Sequence, residues 1–414
     1  MVGDYRPGRR GLLRAAATLP LTAPFVARAA APVQVISHRY PALEFYARQM
    51  QQAVPGVTVE PRLMPFDKAL ELQRIMLSSR SDGVDLLYTS DTTVLEFAKN
   101  RWLRPLDDLW TRFKSEFDLG DFADKVMKAF TVDGHLYVMP HNVTVMLMFL
   151  RKDLMDAAHL REPRTIAEYR DLAKALNTPR RAGTVSCLKP VDATLNEAHW
   201  YLNALGDGWF GPGWKPAFDS ARGIASIEML RQVTQLAQPG FTAAGNDECT
   251  VALQQGLAAA GLQWSTRAKA MDDPNASKVV GKIEWIAPPQ GGGRFSTDGY
   301  AISAFSKQDP ETLFRIIAQS ASVSSMRDAG ALVLPPRLKL QADPERAKTV
   351  RSWPAAVAAM RNSTLFPPLA DFYAVGDGIA RHIQAGVTGQ QPVANAMHAA
   401  AMETAAWLKE HSGK

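Results

Sequence analysis

The sequence predicts an α/β fold in which mainly parallel sheets are flanked by helices, and three observations carry that reading. The first is strand–helix alternation near the N-terminus. Val33-Gln-Val-Ile-Ser37 reads as a strand, Leu43, Tyr46, Ala47 and Met50 repeat at helical spacing, and Pro55-Gly56 breaks that helix. Val57-Thr-Val-Glu60 alternates as a second strand, Ala69, Leu72, Ile75 and Met76 mark a second helix, and Val84-Asp-Leu-Leu-Tyr88 follows Gly83 as a third strand. A β-α-β-α-β order implies a parallel sheet covered by helices, and the strand ends of such a sheet are the usual place for a ligand crevice. The second observation is central. Asp133-Gly134 signals a turn, His135 to Met139 reads as a strand, Pro140 interrupts it, and Val145 to Leu150 is a further apolar run. A backbone passing straight from one sheet to another has this pattern. The third is size: 414 residues with 46% hydrophobic and 21% charged residues can bury a sizeable core, as two or three domains or as one two-lobed unit.

The later elements follow local rules. Thr165-Ile-Ala-Glu168 is a capping box, in which the threonine accepts from the third amide while the glutamate reaches back, and Tyr169, Leu172, Ala173 and Leu176 share the face of the helix behind it. Asp309-Pro310 and Asp343-Pro344 each place a capping residue before a first-turn proline. A last helix is predicted from about Val393 to Lys409, with Ala396, Met397, Ala400 and Leu408 on one face. Pro140, Ala287-Pro288-Pro289 and Pro335-Pro336 are candidate crossings between lobes, since proline narrows backbone freedom there.

Charge and targeting signals restrict function. The net charge of +6 is unevenly placed: residues 1–29 hold Arg6, Arg9, Arg10, Arg14 and Arg28 against Asp4, which leaves a net of +2 on the remainder. No basic patch for nucleic acid emerges from the rest of the chain. The basic start, the short apolar alanine-rich run and the Ala27-Arg28-Ala29 site form an export signal with cleavage expected after Ala29, and Arg9-Arg10 before Leu12 and Leu13 is similar to a twin-arginine signal. The apolar run is too short to span a bilayer and is broken by Pro20 and Pro24, so a soluble periplasmic protein is expected, without a lipid anchor. Cys187 and Cys249 can pair in an oxidising compartment or stand as separate buried thiols. No spacing suggests a metal site, and no cofactor is expected. His135 and His141 flank a strand, where packing or ligand contact suits them.

The order of segments resembles the family 1 extracellular solute-binding proteins, the group that includes maltose-binding protein. The resemblance rests on Gly83-Val-Asp-Leu-Leu-Tyr-Thr-Ser-Asp91; on Phe97-Ala98 with Trp102-Leu-Arg-Pro-Leu-Asp107; on Thr131 to Pro140; on Phe149-Leu-Arg-Lys-Asp-Leu154 with Pro163 to Tyr169; on Ala259 to Trp264; and on Gly291-Gly-Gly293 with Asp298-Gly-Tyr-Ala-Ile-Ser303. Gly83 stands where the family usually has proline, and Arg151 where it has asparagine. The resemblance spans the chain behind the signal. It implies a two-lobed periplasmic-binding-protein fold of class II, each lobe a mainly parallel sheet flanked by helices, closing on a solute by hinge motion. It places residues 30–140 and 289–337 in an N-terminal lobe and 141–288 and 338–414 in a C-terminal lobe. It further implies a monomer that delivers its solute to the permease subunits of an ABC importer, and no enzymatic activity.

A sugar needs rings to stack on its flat C–H faces and planar polar groups for its hydroxyls. By the resemblance, Trp264 and Tyr373 are the stacking residues, and Ser90-Asp91 stands where the family uses an aspartate on ligand hydroxyls. Asn142 and Thr144 lie past the first crossing, with Thr144 where the maltose-binding branch has a glutamate. His38, Arg39 and Tyr40 occupy the first strand–helix loop, and Trp200, Asp298 and Gly299 complete the set. Two rival readings stay open. A polyol or phosphorylated solute is one, with Arg39 available for an anion. An exported glycoside-acting enzyme is the other; it requires two carboxylates across a cleft, and no nucleophile, P-loop or dinucleotide motif supports it.

Overall fold

The computed structural model describes residues 31–411 other than Ala331 and Asp371, together with Met1 and Gly3. The export signal expected over residues 1–29 therefore falls outside the described residues save for those two. The described residues from Pro32 onward form one compact unit. Its strands are β1 (Val33–His38), β2 (Val59–Met64), β3 (Leu86–Ser90), β4 (Thr131–Val132), β5 (His135–Leu136), β6 (Val138–Arg151), β7 (Ala260–Trp264), β8 (Ile283–Ile286) and β9 (Phe295–Ile302). The strands run in the order β2-β1-β3-β9-β6-β7, with β8 also on β6, and β4 pairs with β5 in a separate ribbon.

The first half is the predicted α/β unit. β1 pairs in parallel with both β2 and β3, and β9 enters antiparallel between β3 and β6. The helices Pro41–Gln51 and Phe66–Ser78 supply the two crossovers. The second strand begins two residues later than its alternation suggests and runs through Pro61, because its register is fixed by β1, Val33 opposite Val59. At the edge of a sheet a missing proline amide costs no ladder bond. β3 likewise extends to Ser90, so that the carboxyl ends of β1 and β3 and the start of β9 lie at one end of the sheet.

β6 joins the halves. Its fourteen residues are buried except at Thr144, a pattern that only a strand covered on both faces can hold. From Val138 to Val145 it pairs with β9; from Met146 it pairs with β7, and from Met148 with β8, both antiparallel. Pro140 does not mark the change of sheet. It stands opposite Gly299 inside the first pairing, and the register shift between Pro140 and Asn142 absorbs its missing donor. The partners of β6 change after Val145. The segment around residues 182–185 adds parallel bridges to Ala258 and Gly261. The second half is closed by Ile166–Leu176, Asp192–Ala204, Ala221–Thr234, Phe372–Val387 and Val393–His411, packed as one core with Trp200, Tyr169 and Tyr201 at its centre.

The caps form as the residues require. Thr165 and Glu168 make the reciprocal capping box, and the Asp309 and Asp343 carboxylates accept from amides of the first turns behind them. The Pro335-Pro336 segment stays with the first half: Pro336 accepts from the Ala123 amide, and the buried Arg337 donates to the carbonyls of Phe117, Asp118 and Ala321. The two cysteines are free and buried, with Gln263 Nε2 donating to Cys187 Sγ and Cys249 Sγ donating to the Ser186 carbonyl. Among the described residues no helix is long and apolar enough to cross a membrane, and no group of acids, histidines and cysteines is placed to hold a metal.

Gly299 has a structural task here. A Cβ at this position would lie 2.0 Å from the Met139 carbonyl oxygen, an atom of the β6 backbone that cannot yield. Gly299→Ala is expected to lower stability by about 2 kcal/mol or more, as overpacking between two central strands does, read as a fall in the urea midpoint of the purified protein.

Candidate functional site

A cleft of about 1450 Å³ opens between the halves. That exceeds the roughly 300–1,000 Å³ of most small-ligand pockets. Its first-half wall is aromatic. His38 at the end of β1 sits among Tyr40, Phe66 and Tyr88, with ring centroids 5.2, 5.7 and 5.7 Å away, and Phe66 lies 6.3 Å from Tyr373 of the opposite half. Trp264, at the end of β7 opposite Met146, and Tyr373, in the first turn of Phe372–Val387, both lean on the second core while lining the cleft. Such rings offer flat apolar faces at low entropic cost.

Polar groups stand between the rings. The Tyr40 hydroxyl donates to Asp298 Oδ2 at 2.7 Å, and Asn142 Nδ2 donates to Asp298 Oδ1 at 2.8 Å and to the Tyr40 oxygen at 3.0 Å. Across the cleft, Tyr373 and Asn196 both donate to Asp192 Oδ1 at 2.8 Å. At the crossing between β8 and β9, Arg294 Nη2 donates to Asp91 Oδ2 at 2.7 Å, and Asp91 Oδ1 accepts from the Ser296 hydroxyl at 2.5 Å and the Thr297 amide at 3.1 Å.

Burial shifts the titrating groups of this wall toward their neutral forms. It raises the Asp298 carboxyl to about 7, against the pull of the Tyr40 and Asn142 bonds, with the negative charge of Asp91 adding to the rise. Burial also raises the Asp192 carboxyl and lowers the His38 imidazole to about 4, where the positive charge of Arg267 helps. The Tyr40 phenol is held well above its ordinary value, first by burial and then by Asp298. Beside the buried pair of Arg294 and Asp91, charged groups stand at the rim, where Arg267 pairs with Asp247 at 2.7 Å and Arg351 with Asp272 at 2.9 Å.

His38, Tyr40, Ser90, Thr144, Trp264, Asp298 and Tyr373 thus line one cleft, drawn from six separate stretches of chain. The other expected residues do not. Trp200 is a core residue, 1% exposed: its Nε1 donates to the Pro289 carbonyl, and its ring packs on Tyr169 and Tyr201. Its helix is buried from Ala193 to Leu202; Asp192, Ala193 and Asn196 at its start reach the cleft wall, whereas Trp200 turns into the second core. Arg39 is exposed, 3.9 Å from Glu44, and Gly299 is enclosed between strands. Asn142 is buried behind Tyr40, and the oxygens of Asp91 are taken by Arg294, Ser296 and Thr297.

The lining residues that sequence reasoning missed include Phe66, Tyr88, Asp192 and Arg294. Phe66 follows the second strand at the same sheet end as His38, so the crevice rule for parallel strands pointed to it. Tyr88 lies within the third strand, where the spacing does not separate a core ring from a cleft ring, and Arg294 directly follows three glycines. Asp192 meets Tyr373 from 181 positions away, which no local pattern records.

Comparison with known proteins agrees with this architecture. A mannitol-binding protein of Pseudomonas aeruginosa strain PAO1 is 24% identical over 370 residues, covering 80% of this chain and 82% of the relative. The structure of an ABC transporter solute-binding protein from Agrobacterium radiobacter K84 in complex with ribitol superposes with a TM-score of 0.81 at 22% identity, over 91% of this chain and 98% of the other. Maltose-bound MalE3 of T. maritima superposes with a TM-score of 0.80 at 20% identity, over 91% and 100%. Both structures share the two-lobed fold described above. Residues 37–320 match the family described as bacterial extracellular solute-binding proteins, and to that family this chain belongs.

Proposed function

We propose that this protein is the periplasmic binding component of an ABC importer, taking up a sugar or its open-chain polyol between its two halves and delivering it to the membrane permease. The observation that carries the reading is the composition of the cleft wall. His38, Tyr40, Phe66, Tyr88, Trp264 and Tyr373 supply faces for C–H surfaces, with Asp298, Asp192 and Thr144 between them for hydroxyls. Polyols gain support from the mannitol-binding relative and the ribitol-bound structure. The carboxylates of Asp192 and Asp298 are each held by two neighbouring groups, an arrangement that suits fixed hydrogen bonding to a solute.

A thermal-shift screen over sugars, polyols, amines and phosphate esters tests the reading, because a solute that binds only the folded state raises its melting point. Sugars or polyols are expected to give the shift, and a response confined to amines or phosphate esters would overturn the assignment. For the solute found, Trp264→Ala is expected to weaken binding by about tenfold or more in titration calorimetry while leaving the ligand-free melting point nearly unchanged.

Asp298 gives stability a defined pH dependence. Its carboxyl is raised to about 7 from an ordinary value of 3.8, so the folded state holds this proton more tightly than the unfolded chain. Its contribution to stability is fully present below about pH 4 and is lost as pH rises through about 7. In urea unfolding at several pH values, Asp298→Asn is expected to flatten the decline between those limits.

Export rests on Arg9-Arg10 in this reading. Replacing both with lysine is expected to leave the precursor in the cytoplasm, where cell fractionation and immunoblotting would find it at its uncleaved size.

A further inference from the structure

Arg294 sits where the two halves meet, and its surroundings are unusual for a cation. Its side chain is 2% exposed, and its partner Asp91 is 3% exposed. One face of the guanidinium is covered by Phe366, with the central carbon 4.2 Å from the ring centroid. The backbone on either side is fixed: the Arg294 carbonyl accepts from the Met146 amide, and the Phe295 amide donates to the Thr364 carbonyl. Asp91 engages Nη2 alone, whereas Nε and Nη1 are buried without a hydrogen-bond partner. Those two nitrogens carry most of the donors of the guanidinium. A buried charged group with idle donors is costly unless something arrives to use them. The residue lines the cleft together with Ser296, Tyr373 and Asp192.

We propose that Arg294 is a ligand-binding residue, whose Nε and Nη1 groups donate to adjacent hydroxyls of a neutral polyhydroxylated solute, and that Asp91 is the positioning residue that holds it there. This rests on the sugar or polyol reading given above and narrows it. Most of the acceptor capacity of Asp91 is already used, since its Oδ1 accepts from Ser296 and Thr297 and its Oδ2 from Arg294. Its charge cancels that of Arg294, so the pair presents directed donors without net charge. An anionic solute therefore gains no uncompensated cation here, and a neutral diol gains a planar fork. Phe366 fixes the plane of that fork, and the crossing strand fixes its depth. The aromatic wall takes the C–H faces of the same solute.

The test uses the full mature protein and three probes: D-mannitol, ribitol and maltose. Two variants separate binding from folding. Arg294→Lys keeps a cation for Asp91 and loses the fork; the double variant D91N/R294M removes both charges, so that no carboxylate is left buried and unpaired. For whichever probe the wild type binds, both variants, shown to be folded by circular dichroism and urea unfolding, are expected to lose about tenfold or more in affinity by titration calorimetry. The deoxy analogues of that probe supply the readout that a structural role would not move. With one analogue, lacking a hydroxyl that meets Arg294, the wild type should fall to the level of Arg294→Lys. Folded variants that bind the probe as the wild type does would overturn the proposal and leave the sugar or polyol reading standing. Failure of both variants to fold would make Arg294 a support of the crossing and overturn it equally. Failure of the wild type to bind any probe or any other sugar or polyol would remove that reading and this proposal with it.

Discussion

The structure depends on a single strand that has to be paired along its whole length while serving two sheets. β6 is buried on both faces, so each of its amides and carbonyls needs a partner within the protein. β9 supplies those partners up to Val145, and β7 and β8 supply them from Met146. A strand shared in this way cannot slide, because a shift of one residue would turn every apolar side chain to the wrong face. The two halves are therefore fixed in register at their junction, and the ends of β1 and β3 are set against the end of β7. The cleft is the consequence of that placement.

The close approach of β6 and β9 has its own requirement. Gly299 opposite Pro140 leaves room for the Met139 carbonyl, and the irregularity between Pro140 and Asn142 turns Asn142 toward Tyr40 and Asp298. The same local distortion that accommodates a proline in a central strand thus delivers a polar side chain behind the wall of the cleft. Carboxyls stay there because hydroxyls, amides or a guanidinium occupy their oxygens, and burial drives Asp298 and Asp192 toward their neutral forms. An environment of rings, hydrogen-bonded acids and one cancelled ion pair suits a solute rich in hydroxyls and poor in charge.

Local chemistry explains which parts were legible. Helix starts at Thr165, Asp309 and Asp343 are written in two to four residues, because a cap uses only its own turn. His38, Tyr40 and Ser90 were legible because a parallel sheet puts the loops behind its strands at one end. Trp200 was misplaced for the opposite reason. An aromatic residue on an apolar helix serves a core or a cleft equally well, and only the packing of Asp192–Ala204 inside the second half decides for the core.

The sequence by itself determined the alternation of strands and helices, the caps, the family and the general end of the sheet where a solute would sit, since periodicity, turn chemistry and segment order are local or sequential properties. Only the tertiary structure decided that the sheet changes after Val145 and not at Pro140, that Asp91 is spent on Arg294, and that Asp192 meets Tyr373 across the cleft. Those facts depend on pairing between residues far apart in the chain, and a contact of that kind leaves no trace in the spacing of either partner.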